Sequence, residues 1–449
     1  MKKLISVFII TALLFVATAC GKSDTTEKNN AKVDNTVYFL NFKPEAADIY
    51  KEIARKYEEE KGIKVKVVTA ASNTYETTLK SEIVKADAPT IFQVNGPVGY
   101  QSWSKYCRNL SDTKLYGYLS DKDLAIKNSD GVFAIPYVVE GYGIIYNNAI
   151  MEKYFSLSDK SVDITKASEI TSFPLLKEVV DDMTKHKEKL GIDGVFASTS
   201  MSGGEQWRWT THLLNVPIYY EMKEKSDDSS ITTAYNSKTI DFKYSNNFKN
   251  IFDLYINNST TEKGLLSGKS VEDSMAEFAL GKAAMVQNGN WAWEQISNVK
   301  GNTVKSDDIK YLPLYIGADG EENQGLCIGT ENYLAINKNV SEEKQKASIE
   351  FLEWLFSSKT GKDYVVNKLK FISPFNTFDD NEKPDDPLAR EILSWMSKDK
   401  VTVEWVFNSF PGLEFKNDVG NVLLDYIQGT GTWDDVTKKA VDSWKESKS

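Results

Sequence analysis

From Thr36 onward the chain runs strand, helix, strand and then repeats the order, and this succession restricts the fold more than any other feature of the sequence. Residues 36–40 read as a strand and 41–45 as a loop. Residues 46–61 place Ile49, Ile53 and Tyr57 four apart on one helical face and stop at Gly62, the residue type that most readily takes a left-handed C-terminal turn. Residues 63–68 alternate apolar side chains with lysine, the period of a strand. A helix at 75–85 and a short buried strand at 90–94 follow, ended by Asn95, Gly96 and Pro97. Parallel strands joined by crossover helices build an α/β fold, and ligands of such open sheets bind beyond the carboxyl ends of the strands. The loops at Asn41 and Asn95 are therefore candidate site positions.

Farther on, 131–137 and 142–146 are strand-like and are separated by Val138, Val139, Glu140 and Gly141. Helical runs are expected at 177–189, 247–256, 271–280, 342–356, 387–396 and 417–427, with strands at 283–287, 309–315 and 333–337. A chain of 449 residues exceeds one ordinary core. It has no internal repeat and no Pro-rich or Gly-rich linker, so two lobes must be joined by ordered crossing segments, the pattern of a clamshell.

The amino terminus has the layout of an export signal: Lys2 and Lys3, an apolar run over 4–16, and small residues Ala17, Thr18 and Ala19. Cys20 and Gly21 stand where a bacterial lipobox places its lipid-modified cysteine and the next residue, although Ala17 replaces the commoner leucine. A lipid on Cys20 would anchor the chain to the outer face of a membrane. Residues 21–35 are almost devoid of apolar side chains and read as a flexible tether. Two cysteines remain, Cys107 and Cys327, and spacing leaves open whether they pair.

A formal net charge of −10 argues against nucleic acid as a partner, because phosphate backbones call for clustered Lys and Arg. Aromatic residues make up 12 % of the chain, with 10 Trp and 22 Tyr, a supply suited to a core, an interface or a half-apolar, hydroxylated ligand. Four groups stand out. Asn288, Gly289, Asn290, Trp291 and Trp293 follow a strand and form a candidate stacking platform; core filling by one or both Trp is the alternative. Glu205 and Trp207 lie in a dense cluster running from Gly203 to Trp209. Glu140 and Tyr142 pair a carboxylate with an aromatic face, a combination that recognises sugar hydroxyls and C–H surface. Trp405, Phe407 and Phe410 form a late group, in which packing is the simpler reading of Trp405. His186 and His212 share no metal-ligand spacing with Cys or with each other, and no cofactor is expected. Glu140 and Glu205 keep a glycoside hydrolase open as an alternative, since such enzymes act with two carboxyl groups.

The chain resembles the extracellular carbohydrate-binding proteins of ATP-driven (ABC) importers, solute-binding protein family 1, the group that includes maltose-binding protein. Four stretches in order carry the resemblance: 57–67, with Lys-Gly-Ile-Lys-Val; 134–147, Ala-Ile-Pro-Tyr-Val-Val-Glu-Gly-Tyr-Gly-Ile-Ile-Tyr-Asn; 283–293, Ala-Ala-Met-Val-Gln-Asn-Gly-Asn-Trp-Ala-Trp; and 341–361, with Phe-Leu-Glu-Trp-Leu. The resemblance implies a two-lobed α/β clamshell of type II with the ligand between the lobes. It implies a signal at 1–19, a lipidated tether at 20–35, an N-terminal lobe from 36–139 and 313–338, and a C-terminal lobe from 140–312 and 339–449. It also implies that Glu140 bonds sugar hydroxyls and that Trp291 stacks on a ring, with Asn290 in place of the family's proline. Asn41 and Lys43 fall on the first-strand loop, Asn95 on the second, Trp207 near another stacking position, and Phe410 at the late aromatic one. The implied activity is non-enzymatic: a monomer captures an oligosaccharide, an α-glucan first among them, and presents it to permease subunits. The same clamshell with a non-sugar solute is a further alternative.

Overall fold

A computed structural model describes residues 34–71 and 74–448; the expected signal, Cys20 and the tether up to residue 33 lie outside the described residues. Among those described, the strands in chain order are β1 (Val37–Asn41), β2 (Val65–Thr69), β3 (Ile91–Asn95), β4 (Ile126–Asn128), β5 (Gly131–Pro136), β6 (Glu140–Asn147), β7 (Gly194–Phe196), β8 (Ala283–Gly289), β9 (Ile309–Leu312), β10 (Gln324–Gly329), β11 (Asn332–Ile336) and β12 (Val401–Val403). They form two six-stranded sheets. The first has the order β2-β1-β3-β11-β5-β4; the second is β12-β10-β6-β8-β7, with β9 beside the far half of β6.

The opening βαβ reading holds. β1 is parallel to β2 (Val37↔Val65) and to β3 (Phe39↔Ile91), and all five of its residues are buried, as a central parallel strand requires. The helix Ala47–Lys61 buries Tyr50, Ile53, Ala54 and Tyr57 and ends at Gly62 in the left-handed conformation, φ 70°. Ile49 leaves the sheet-facing stripe because a strict four-residue row drifts around a helix of 3.6 residues per turn. Asn95, Gly96 and Pro97 do not open a loop: β3 passes directly into the helix Gly96–Trp103, where Pro97 is tolerated in the first turn and Gly96 takes φ 62°. A β-carbon on Gly96 would stand 2.7 Å from Asn408 Cβ, so the close approach of these two segments requires glycine there.

The two halves are joined by ordered chain. β5 leads into β6 through Tyr137, Val138 and Val139, β10 leads into β11 through Thr330 and Glu331, and a third crossing runs over 371–386, where Val139 N donates to Ile372 O at 2.8 Å. The sheets divide the chain differently from the expected lobe ranges. β10 belongs to the second sheet, and the helix Glu342–Ser357 packs in the first sheet's core, where Tyr57 meets Phe351 and Trp354 edge-on at 5.0 and 5.1 Å. The reason is local: the helix follows β11 and packs on the sheet that β11 joins. Cys107 and Cys327 are buried and unpaired, and burial pushes each thiol up to about 12.

Candidate functional site

A cavity of about 350 Å³ lies where the halves meet. The first turn of Ala47–Lys61 and the residues before it contribute Glu45, Ala46 and Ile49; β6 contributes Glu140; the turn after β8 contributes Asn290 and Trp291; the third crossing contributes Phe371 and Asp386. The helix Trp293–Ser297 and its end add Glu294, Gln295 and Asn298, and Lys368, Leu369 and Lys370 line the cavity just before the crossing.

Lys43 and Glu140 are both buried, and Lys43 Nζ donates to Glu140 Oε1 at 2.7 Å, with Glu45 Oε1 at 3.7 Å. Burial works against the charge on Lys43, but the two carboxylates outweigh it and the ammonium is held above its ordinary value. Burial raises the Glu140 carboxyl, and Lys43 pulls it back toward the ionised form. The loop is shaped by Asn41, whose Nδ2 donates to Lys43 O at 2.7 Å and to Thr69 Oγ1 at 3.1 Å while Oδ1 accepts from Lys43 N at 3.1 Å. Asn41 therefore positions Lys43. Phe371 lies under the ammonium, 5.8 Å from Nζ to ring centroid.

Trp291 is half-buried and folds back over the end of β8, where a β-carbon on Gly289 would stand 2.2 Å from its ring. Asn290 ties this turn to the other half of the site: its Oδ1 accepts from Gly141 N at 2.9 Å, next to Glu140. Trp291 also meets Trp207 at 6.2 Å and His212 at 5.5 Å between ring centroids, and Trp207 meets His212 edge-on at 4.7 Å. Lys43, Glu140, Asn290, Trp291 and Trp207 are thus brought into one neighbourhood.

Other expected residues are placed differently. Tyr142 is fully buried beneath the aromatic corner, 4.1 Å from the His212 ring, and its hydroxyl donates to His212 O at 3.2 Å; it supports the corner and offers no face to a ligand. Phe410 is 1 % exposed and packs against Phe415 and Trp444, which corrects its expected stacking role: the backbone after Ser409 turns this ring into the core. Asn288 is buried, with Nδ2 on Met275 Sδ at 3.4 Å, because alternation along β8 points it away from the site. Asn95 sits at a neighbouring edge, Nδ2 donating to Glu331 Oε1 at 2.7 Å. Glu205 Oε2 accepts from Val271 N at 2.8 Å, so Glu205 and Glu140 are each committed to other partners. Trp405 is packed at 5.2 Å against Phe407, as the packing reading requires.

Sequence reasoning weighs His212 only as a metal ligand and holds Arg208 inside the cluster from Gly203 to Trp209 without giving it a role, and it does not single out Phe371, Asp386 or Lys416. Arg208 and His212 belong to a π-helical turn, Arg208–Leu213, that runs into the helix Leu214–Lys225. That segment is buried on nearly all sides and shows no amphipathic period, so neither the helix nor the inward-turned basic residues could be read from spacing. π turns of this kind recur at functional sites, and the tight packing of Trp, Arg and His was the available signal.

A two-lobed α/β molecule with aromatic and charged side chains converging where its lobes join is built to hold a solute between them. The chain belongs to the bacterial extracellular solute-binding proteins, whose family model matches residues 52–402. It is 22 % identical over 421 residues to the multiple sugar-binding protein of Streptococcus mutans serotype c, covering 90 % of each chain. In fold it is similar to the solute-binding protein RafE in complex with raffinose (TM-score 0.69, 17 % identity, 92 % of this chain and 100 % of that one). It is likewise similar to maltose-bound MalE3 of T. maritima (TM-score 0.65, 16 % identity, 92 % and 99 %). At these identities the structural likeness speaks for the fold.

Proposed function

We propose that the protein captures an oligosaccharide between its lobes outside the cell and delivers it to the permease subunits of an ABC importer. The observation that carries this reading is the convergence of Trp291, Glu140 and Asn290 on a cavity at the lobe junction. A flat indole covers the C–H face of a sugar ring while carboxylate and amide groups bond its hydroxyls. The multiple sugar-binding relative and the raffinose-bound and maltose-bound structures support a sugar as the solute. An α-glucan is favoured over the others by no contact in the site. Closure follows from differential affinity: a ligand held by one lobe gains contacts from the other only when the lobes are together, and the closed form is what a permease recognises. A lipid on Cys20 and the tether over residues 20–35 would keep a monomer within reach of the membrane.

A panel of neutral and acidic oligosaccharides read by intrinsic Trp fluorescence tests this reading. Saturable quenching or enhancement by a sugar supports it, and no response to any member overturns it. Release of reducing ends during the incubation, lost in Glu140→Gln, would establish the hydrolase instead. Cys20→Ser is expected to release the protein from the membrane fraction.

A further inference from the structure

Arg208 is 3 % exposed, its guanidinium carbon stands 4.0 Å from the centroid of the Trp207 ring, and the guanidinium makes no hydrogen bond or ion pair among the described residues; its Nη1 is enclosed without a partner. A guanidinium carries five N–H donors and no acceptor, so a buried one without partners is costly unless a ligand provides acceptors. The side chain of Lys416, on the helix Leu413–Gln428, likewise makes no hydrogen bond or ion pair among the described residues, and it shares with Arg208 the electrostatic environment of His212.

None of the carboxylates nearby reaches the guanidinium with a hydrogen bond or ion pair. Glu205 accepts from Val271 N at 2.8 Å, Glu76 from Trp103 Nε1 at 2.9 Å and Glu331 from Asn95 Nδ2 at 2.7 Å, while Glu272 is exposed to solvent. Next to Arg208, Gln287 Nε2 donates to the Arg208 carbonyl at 3.0 Å and leaves its own Oε1 buried without a donor. The corner therefore wants an acceptor for a guanidinium and a donor for an amide oxygen. A hydroxylated acid provides both.

We propose that the corner formed by Trp207, His212 and Trp291 is the subsite for a sugar residue bearing a carboxylate, and that Arg208 binds that carboxylate, so that the ligand class is a uronic-acid-containing oligosaccharide. This rests on the sugar-binding reading above. The guanidinium fork matches the two oxygens of a carboxylate, and the Trp207 indole beside it restricts the freedom of the fork. A dianionic phosphate ester fits less well, because Glu205 and Glu272 both act on Arg208 through space. Burial lowers the guanidinium to about 9, the carboxylates opposing, so it is still charged at neutral pH.

The test is calorimetric titration of the full chain with matched probes: methylglucuronosyl-xylotriose against xylotetraose, and trigalacturonic acid against maltotriose. One acid is expected to bind about tenfold or more tightly than its neutral partner, with the advantage shrinking as salt is added. Arg208→Gln is expected to bring that ratio close to one and Arg208→Lys to retain part of it, thermal melting showing that each variant folds. Neutral probes that bind as tightly as the acids overturn the proposal and leave the sugar-binding function standing, and the wild-type ratio decides this even if the variants fail to fold. An acid preference that survives in folded Arg208→Gln also overturns it. If no sugar binds in these titrations or in the fluorescence panel, the sugar-binding reading and this inference fall together.

Discussion

Lys43 and Glu140 stand 97 positions apart in sequence and 2.7 Å apart in space, joining the loop after the first strand to the first residue of the strand that opens the second sheet. Both groups are buried, so each makes the other's charge tolerable. Lys43→Met is expected to cost about 3 to 5 kcal/mol, because it leaves Glu140 charged and uncompensated in the interior. Adding Glu140→Gln to Lys43→Met should recover much of that loss, since the double variant buries no charge. Urea unfolding of the two single variants and the double variant measures the coupling; equal and additive losses would mean that the pair contributes nothing as a pair.

The indole of Trp291 occupies the space that a side chain on residue 289 would need, at 2.2 Å from an added β-carbon. Gly289→Ala therefore has to move the ring, the turn or both. We expect Trp291→Ala to weaken sugar binding by about 1 to 3 kcal/mol, the scale of one anchoring aromatic, and Gly289→Ala to weaken it through the displaced ring while Trp291 itself is intact. Titration calorimetry with whichever sugar binds the wild type checks both. Unchanged affinity in Trp291→Ala would remove this residue from the site.

What the sequence made legible was local and periodic. The βαβ opening, the stop at Gly62, the helix Pro387–Met396 and the inward face of Ile53 and Tyr57 follow from spacing and capping that a single segment displays. Glu140 and Trp291 were found through a resemblance and a motif at a strand end. Tyr142 and Phe410 were misplaced because an aromatic beside a glycine or a carboxylate looks the same whether its ring faces a cleft or a core, and only the neighbours from distant segments decide. Arg208 and Lys416 were missed for a related reason: on a buried turn and on an amphipathic helix, nothing nearby in sequence marks a cation as lacking a partner.

The chain has only two histidines, and they lie in opposite environments. Burial, with Arg208 and Lys416 adding to it, holds His212 well below its ordinary value, so it is neutral. His186 is held above its ordinary value, first by its hydrogen bond to the Asp182 backbone and then by Asp159 and Asp182. Proton NMR of the two imidazoles is expected to show one resonance titrating and one flat between about pH 5 and 8. The flat one should disappear in His212→Gln. Two ordinary titrations would contradict the enclosure of His212 in the aromatic corner.

Asp386 lines the cavity and caps the helix Pro387–Met396, its Oδ1 accepting from Ala389 N at 2.8 Å. Burial raises its carboxyl from 3.8 to about 6, the capping hydrogen bonds opposing. A folded-state value above the unfolded one means that, between those two values, the folded protein binds more protons than the unfolded chain, so stability falls as pH rises through this window. Above about pH 6 the full cost of the buried charge is present, on the order of 2 to 3 kcal/mol. Asparagine keeps the capping oxygen and removes the charge. Asp386→Asn should therefore unfold at higher urea concentration than the wild type near pH 7, and the difference should vanish by about pH 4, where the native aspartate is protonated in the folded state. A gain of the same size at both pH values would point to packing or capping as its source, and a loss at pH 7 would mean that the ionised carboxylate is stabilised where it stands.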